Sequence, residues 1–219
     1  MRFLKANFHI IFFATAAQLI VYLYIIKLNI CPMFDSLRAF FGGLYNVNIE
    51  YLPCYLVFLL IHHLFNVESQ RYLIPENAII ILRYKNIYKY LSSLTKIELL
   101  MNTALVVSST EAHVLSLLVC NEPISVDITT IFQALLLCGI ISQIEHITLM
   151  LFAESSFIVS LLFSLLLLFI NQRLPSIVSI FPVPHANLAD LLISIAVKII
   201  LQIGLFSLSI HLLRGARYK

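Results

Sequence analysis

The sequence is poor in the residues with which a soluble domain covers its surface. Only 11% of its 219 residues are charged, five are glycine and none is tryptophan. Because soluble domains are roughly a quarter charged, this chain has too few polar side chains to face water on all sides. Its hydrophobic fraction of 61% and mean hydropathy of +0.97 predict a protein surrounded largely by lipid.

The sequence also lacks the motifs of common chemical sites. Its five glycines do not form the G-x-x-x-x-G-K-[ST] loop that holds nucleotide phosphates. Its four cysteines form no C-x-x-C pair, and no H-E-x-x-H motif is present. The net charge of +3 comes without a basic run outside the apolar segments, so we do not expect nucleic-acid binding. We expect a chain that is not an enzyme and holds no metal or cofactor itself.

What the sequence does contain is six apolar runs that can cross about 30 Å of hydrocarbon. Two of them are short, which neighbouring helices and flanking side chains can compensate. No A-x-A cleavage site closes the first run, so we interpret it as a retained span. The predicted spans are 8–26, 51–67, 97–119, 129–152, 155–170 and 188–212. They predict an all-α, multi-pass protein with a single membrane domain over residues 1–219.

Lysine and arginine are distributed unequally between the two sides that these spans create. With the N-terminus inside, ten lie on the inner side and three on the outer side, while Lys198 lies within the sixth span. Because cytoplasmic segments are enriched in these residues, both termini are predicted in the cytoplasm, with the chain in the cell membrane. The inner residues are Arg2, Lys5, Arg71, Arg83, Lys85, Lys89, Lys96, Arg214, Arg217 and Lys219, and the outer ones are Lys27, Arg38 and Arg173.

The outer face contains the last loop, 171–187, and most of the cysteines. This loop, "NQRLPSIVSIFPVPHAN", has three prolines, which predict an irregular or re-entrant lid. Cys31, Cys54 and Cys120 also fall near the outer face. Both a disulfide and simple apolar packing are open to them.

The long inner connection, 72–96, has an amphipathic helical pattern. Apolar or aromatic residues recur at spacings of three and four, and a basic face follows the same spacing. The first set is Ile80, Tyr84, Ile87, Leu91 and Leu94, and the second is Lys85, Lys89, Ser92 and Lys96. Such a helix can lie on anionic lipid heads or can bind a soluble partner. The sequence predicts a cytoplasmic helix that ends before the third span.

The segment "LRYKNIYKYLSSLTKIELLMNTALVV" resembles the cytoplasmic loop of small bacterial ABC-2-type permeases, the membrane subunits of peptide-export and bacteriocin-immunity transporters. The resemblance implies that this loop docks on a cytoplasmic ATP-binding subunit through Arg83, Tyr84, Lys85, Tyr88 and Lys89. It further implies a second permease copy or homologue, with ATP bound only by the partner. Export of a peptide or amphiphile is the expected activity.

Several ionisable residues lie within the predicted spans, where a charge is costly and usually faces protein or water. Glu111 and Glu145 are the most deeply placed carboxylates by position. They are candidates for a translocation path or for pairing between helices. Glu98 and the His62–His63 pair are expected near the cytoplasmic interface, where water reaches them. Lys198 is expected to need a partner on another helix.

Two other functions stay open on the sequence. One is the membrane-embedded substrate-binding subunit of an energy-coupling vitamin importer, which has a similar length and number of spans. The A-x-x-x-A packing expected there is not matched by "ATAA" at 14–17. The other is a membrane scaffold that takes no part in transport.

Overall fold

The computed structural model describes residues 8–28, 36–43, 52–71, 87–152, 156–171, 173–185 and 187–216. Within these ranges the chain forms seven α-helices and one 3₁₀ turn, Ser176–Val178, and contains no strand. The helices are α1 Phe8–Lys27, α2 Ser36–Phe40, α3 Leu52–Arg71, α4 Ile87–Val119, α5 Ile128–Phe152, α6 Ser156–Asn171 and α7 Leu188–Ala216. The prediction of an all-α protein is confirmed.

Three of the helices are long and apolar enough to cross a membrane, over residues 91–119, 128–152 and 188–212. At about 1.5 Å per residue, each exceeds the thickness of the hydrocarbon core. Three shorter apolar helices lie at 11–27, 52–66 and 157–171. These helices are consistent with a membrane protein, while six crossings and the inner position of the termini stay predictions.

Local signals in the sequence fix the outer helix ends. Asp127 accepts a hydrogen bond from the backbone N–H of Thr129 at 2.9 Å and so caps the start of α5. Asn187 caps α7 in the same way through the N–H of Asp190 at 2.8 Å. At the end of α4, Asn121 has φ 56°, which allows the chain to reverse after the helix.

Helices α4 and α5 form the centre of the bundle, with α1 and α3 packed on α4 and with α6 and α7 packed on α5. The end of the core next to α2 and the loop at 173–185 is aromatic. Phe58 contacts Phe40 and Phe41 with ring centroids 5.7 and 5.1 Å apart, both edge to face. Tyr55 joins this cluster to Phe181 of the last loop at 5.7 Å. Edge-to-face pairs stabilise beyond the area that they bury, so this end of the bundle is closed by packing.

The loop at 173–185 is irregular, as its prolines predicted, and lies against the bundle. The N–H of Val183 donates to Gln133 Oε1 at 3.0 Å, and Gln133 Nε2 donates to the Val183 carbonyl at 3.3 Å. Asn171 Oδ1 accepts from the N–H of Ile180 at 3.0 Å. A side-chain carbon at Gly43 would lie 1.7 Å from the carbonyl oxygen of Pro182. Only glycine therefore permits this approach of the loop.

Helix α4 corrects one boundary predicted from the sequence. It runs unbroken from Ile87 to Val119 over 33 residues, so no separate helix ends before a span that begins at 97. Leu91 and Leu94 are buried and pack with residues of α5 and α7. The apolar contacts between these helices therefore begin before residue 97, the predicted start of the span. Lys89 and Lys96 are exposed, so the predicted apolar and basic faces are confirmed in this part of the segment.

Candidate functional site

A group of buried polar side chains joins α3, α4 and α5 inside the bundle. We call His62, Asn66, Asn102, Ser142 and Glu145 the interior polar network; each is at most 7% exposed. His62 and Asn66 are four residues apart on α3, and Ser142 and Glu145 are three apart on α5, so each pair lies on one helix face. Buried polar groups are costly unless they are hydrogen-bonded, and these side chains supply partners to one another.

Ser142 is the centre of the network. Its Oγ lies 3.1 Å from Nδ2 of Asn66, 3.0 Å from Nδ2 of Asn102 and 3.3 Å from Nε2 of His62. A serine side chain on α5 is thereby bonded to both α3 and α4. The network fixes the relative position of three helices where side-chain packing alone would allow them to slide.

Glu145 has amide and imidazole partners among the described residues. Asn66 Nδ2 donates to Oε2, and Oε1 lies 3.5 Å from Nδ1 of both His62 and His63. The ring of His63 stacks on Phe157 of α6 with centroids 4.1 Å apart. Any positive charge paired with this carboxylate must therefore come from a protonated histidine, because no lysine or arginine of the described chain lies within salt-bridge distance.

Glu98 is a second buried carboxylate beside the network. It is 6% exposed and interacts electrostatically with Glu145 and His62. Its Oε1 has no hydrogen-bond partner in the described part of the chain. The expectation that water reaches these side chains is wrong for Glu98 and His62, which are buried in the bundle, whereas His63 is half-buried. Their position near the cytoplasmic interface stays a prediction.

The order Ser142, His62, Glu145 matches a serine–histidine–carboxylate triad, but the contacts exclude that chemistry. The carbonyl oxygen of Cys138, which can only accept, lies 3.1 Å from His62 Nε2. Nε2 therefore carries a hydrogen directed at Cys138 and cannot take a proton from Ser142. In addition, Ser142 is 1% exposed. No group of three or more metal-ligating side chains occurs in the described ranges either.

The two carboxylates predicted for a translocation path are not brought together. Glu145 belongs to the interior polar network, whereas Glu111 is exposed on the outer surface of α4. His113, two residues further on, is buried and contacts Ser36 Oγ at 3.1 Å. The two carboxylates therefore do not line one cavity within the described bundle, and a translocation role for either of them stays a prediction. The sequence gives the depth of a residue in a span, but a helix that is apolar all round does not reveal which face is buried.

Of the five residues predicted to bind an ATPase, the structure describes two. Tyr88 and Lys89 are exposed in the first turn of α4. Arg83, Tyr84 and Lys85 lie outside the described residues. The two described side chains are thus on the surface, and their contact with an ATPase stays a prediction.

A groove of about 430 Å³ opens between α4, α5 and α7, close to the interior polar network. Its apolar lining includes Leu99 and Phe206. Its polar lining includes Lys96, Gln143 and Gln202. The combination of apolar walls and a few polar groups suits a molecule that has both an apolar part and a polar part.

Arg38 connects the short helix α2 to the outer end of α5. It donates to Thr130 Oγ1 at 3.0 Å and forms an ion pair with Asp127. Partial burial raises the pKa of the Asp127 carboxyl, but hydrogen bonds from Thr129, Thr130 and Arg38 outweigh it and lower the pKa to about 2. Arg38, Asp127 and Thr129 line a cavity of about 450 Å³, which His185 also lines. Burial lowers the pKa of His185.

Lys198 is completely buried below the loop at 173–185. Its Nζ donates to the carbonyl oxygen of Ser179 at 2.8 Å and to Ser194 Oγ at 2.7 Å. The predicted partner on another helix is thus replaced by a loop carbonyl and a serine one turn earlier in α7. Cys54, Cys120 and Cys138 are free thiols, and Cys54 packs in the hydrophobic core, while Cys31 lies outside the described residues.

Comparison with known proteins gives no relative. No family model matches the chain, and no curated protein or solved structure matches it.

The serine and asparagines of the network were missed on the sequence. The signal for Asn66 was present as H-x-x-x-N at 62–66, and the signal for Ser142 as S-x-x-E at 142–145. Each motif places two polar side chains on one face of a helix inside an apolar run. A search for polar pairs at three- and four-residue spacing would have found both.

Proposed function

We propose that the chain is the membrane-spanning permease subunit of an ATP-driven ABC-2-type transporter. In this proposal the three long and the three shorter apolar helices all cross the cell membrane. Both termini are cytoplasmic, and a separate ATP-binding subunit contacts the basic segment before and within the start of α4. The ten-to-three division of lysine and arginine supports this orientation.

The observation that carries the proposal is the continuity of α4. One helix joins the exposed Lys89 to Asn102, which is hydrogen-bonded to Ser142 at 3.0 Å. Asn102 lies thirteen residues after Lys89 in α4, which is a distance of about 20 Å along the helix at 1.5 Å per residue. A displacement at the cytoplasmic end of a rigid helix would move Asn102 and, through Ser142, the helices α3 and α5.

The cargo in this proposal is a peptide or another amphiphile. The groove between α4, α5 and α7 supports this, because apolar walls of Leu99 and Phe206 lie beside the polar Lys96 and Gln143. It lies on the same helix that carries the proposed ATPase contact. Movement of α4 relative to α7 would change its width.

Charge reversal tests the ATPase contact. In the native host, a tagged chain with Lys85→Glu and Lys89→Glu should co-purify with at least tenfold less ATPase activity than the unaltered chain. The reason is that the introduced glutamates would be repelled by an acidic groove on the partner. Membrane insertion should be unchanged. The matched control is Lys27→Glu with Arg173→Glu, which alters the same charge on exposed outer residues.

The result separates the two roles open to the basic segment. Equal ATPase recovery from both double variants would leave the lysines to bind lipid heads and would contradict the proposal. If no ATPase activity co-purifies with the unaltered chain either, transport by this mechanism is contradicted. That result would favour a membrane scaffold.

A further inference from the structure

Glu111 is an ionisable side chain in an unusual position. It is exposed on α4, eight residues before the helix ends at Val119, which places it about 12 Å from the outer end. Glu111 is also six residues from the middle of the apolar stretch 91–119, about 9 Å at 1.5 Å per residue. A hydrocarbon core about 30 Å thick that is centred on this stretch therefore includes Glu111. A carboxylate at the centre of a span costs about 2.5–3.5 kcal/mol on insertion scales, and such residues face protein or water. In the described chain, nothing covers Glu111.

The residues around Glu111 form a continuous exposed surface on α4. We call it the outer stripe; its members recur every three or four residues, so they lie on one side of the helix. They are Leu100, Thr103, Val107, Glu111, Leu115 and Leu118. Thr103 and the half-buried Ala104 are small, and small residues let two membrane helices approach closely.

The exposed surfaces of the other helices are different. The exposed residues of α6 include Leu162, Phe163 and Leu166, and none of its described side chains is ionisable. That surface suits lipid. The exposed His9 and His211 lie close to the cytoplasmic ends of α1 and α7, where such side chains reach the interface. Among the exposed residues that the structure describes, Glu111 is thus the ionisable one in the middle part of a predicted span.

We infer that the outer stripe of α4 packs against the same stripe of a second copy of this chain. The inference rests on the proposed function, which pairs two permease subunits, and it names the surface that joins them. Most homo-oligomers are two-fold symmetric, so a residue near the axis meets its own equivalent. Two copies in one membrane have parallel α4 helices, and their Glu111 side chains lie at the same depth.

The chemistry of Glu111 fits this arrangement. A protonated carboxyl is both a donor and an acceptor, so a pair of glutamates can hydrogen-bond to each other when they share a proton. The pair satisfies both side chains without a lysine or arginine from another protein. The apolar residues of the stripe then exclude water on either side of the pair.

Disulfide cross-linking tests the surface in native membranes. Single cysteines at Thr103, Val107, Leu115 and Leu118 are placed in a chain whose four native cysteines are changed to serine. Oxidation should give covalent dimers at these positions, strongest at Val107 and Leu115 beside Glu111. Leu162→Cys and Leu166→Cys on α6 are matched controls that should cross-link at least fivefold less.

Substitution of Glu111 tests the carboxyl pair. Association in lipid vesicles is measured by energy transfer between labelled copies. Glu111→Gln should keep the affinity within about twofold, because two amides also bond reciprocally, whereas Glu111→Lys should weaken it at least tenfold through repulsion. If Glu111→Lys does not insert, the cross-linking result decides alone, since those variants retain Glu111.

The outcomes are distinct from those of the proposed function. Cross-linking on α6 that equals or exceeds that on the outer stripe would overturn the inferred interface. Unchanged association of an inserted Glu111→Lys protein would also overturn it. Either result can occur while ATPase still co-purifies, in which case the permease role stands and the inferred surface does not.

Discussion

At the scale of single residues, the Ser142 hydroxyl links three helices. One hydroxyl on α5 contacts Asn66 on α3 and Asn102 on α4 at 3.1 and 3.0 Å. In hydrocarbon, a polar group without a partner is costly. The loss of this hydroxyl therefore affects two amides besides the serine itself.

Ser142→Ala should lower the stability of the protein by about 1–3 kcal/mol, because the amides of Asn66 and Asn102 lose a buried partner. Thermal unfolding in detergent measures this change. Ser164→Ala is the matched control: Ser164 is 1% exposed, and its Oγ has no hydrogen-bond partner among the described residues. Equal shifts for the two variants would mean that the network contributes no more than general packing.

Asp127 gives a pH-dependent prediction at the outer surface. Its pKa of about 2 is below the ordinary value of 3.8, so the stability that it contributes is complete above about pH 4 and is lost as the pH falls towards 2. Asp127→Asn keeps a helix cap but removes the ion pair with Arg38. The unaltered protein should therefore melt a few degrees higher at pH 6, and the difference should shrink at pH 3. A difference that does not change with pH would contradict the ion pair.

At the scale of elements, the loop at 173–185 is positioned by a helix and by a glycine. Gln133 of α5 bonds both backbone groups of Val183, and Gly43 leaves space for the carbonyl of Pro182. Irregular backbone is tolerated in a membrane protein where other parts of the protein satisfy its polar groups. The loop is therefore part of the folded bundle.

Gly43→Ala should displace this loop, because the added carbon would lie 1.7 Å from the Pro182 carbonyl oxygen. We expect a loss of stability of a few kcal/mol and faster proteolysis within 173–185. Gly204→Ala is the control, since nothing lies within 4 Å of its added carbon and alanine favours the helix by about 1 kcal/mol. If Gly43→Ala were as stable as Gly204→Ala, the close contact of the loop would be wrong.

The sequence predicted the positions of the helices better than it predicted which face of each helix is buried. The ends of α5 and α7 lie close to the predicted ones, because long apolar runs stop at Asp127 and Asn187, which are helix caps. The sequence divided α4 into an amphipathic helix within 72–96 and a span from 97, because Lys89 and Lys96 end the apolar run, whereas the structure has one continuous helix from Ile87 to Val119. In lipid, apolar side chains cover both the buried and the exposed face. Periodicity therefore could not separate the exposed Glu111 from the buried Glu145.

At the scale of the whole molecule, α4 connects the three surfaces on which the account depends. Its first turn carries Tyr88 and Lys89, its middle contributes Asn102 to the interior polar network, and its outer stripe carries Glu111. A partner at the first turn could thus influence both the interior of one subunit and the contact between two. This requires that α4 begins in the cytoplasm.

Cysteine labelling in intact cells tests that requirement most directly. Lys89→Cys and Leu174→Cys are each introduced into a chain without other cysteines, and both side chains are exposed. With an impermeant maleimide, Leu174→Cys should label at once, and Lys89→Cys should label only after the membrane is permeabilised. Labelling of Lys89→Cys in intact cells at the rate of Leu174→Cys would place the start of α4 outside, where no cytoplasmic ATPase could reach it.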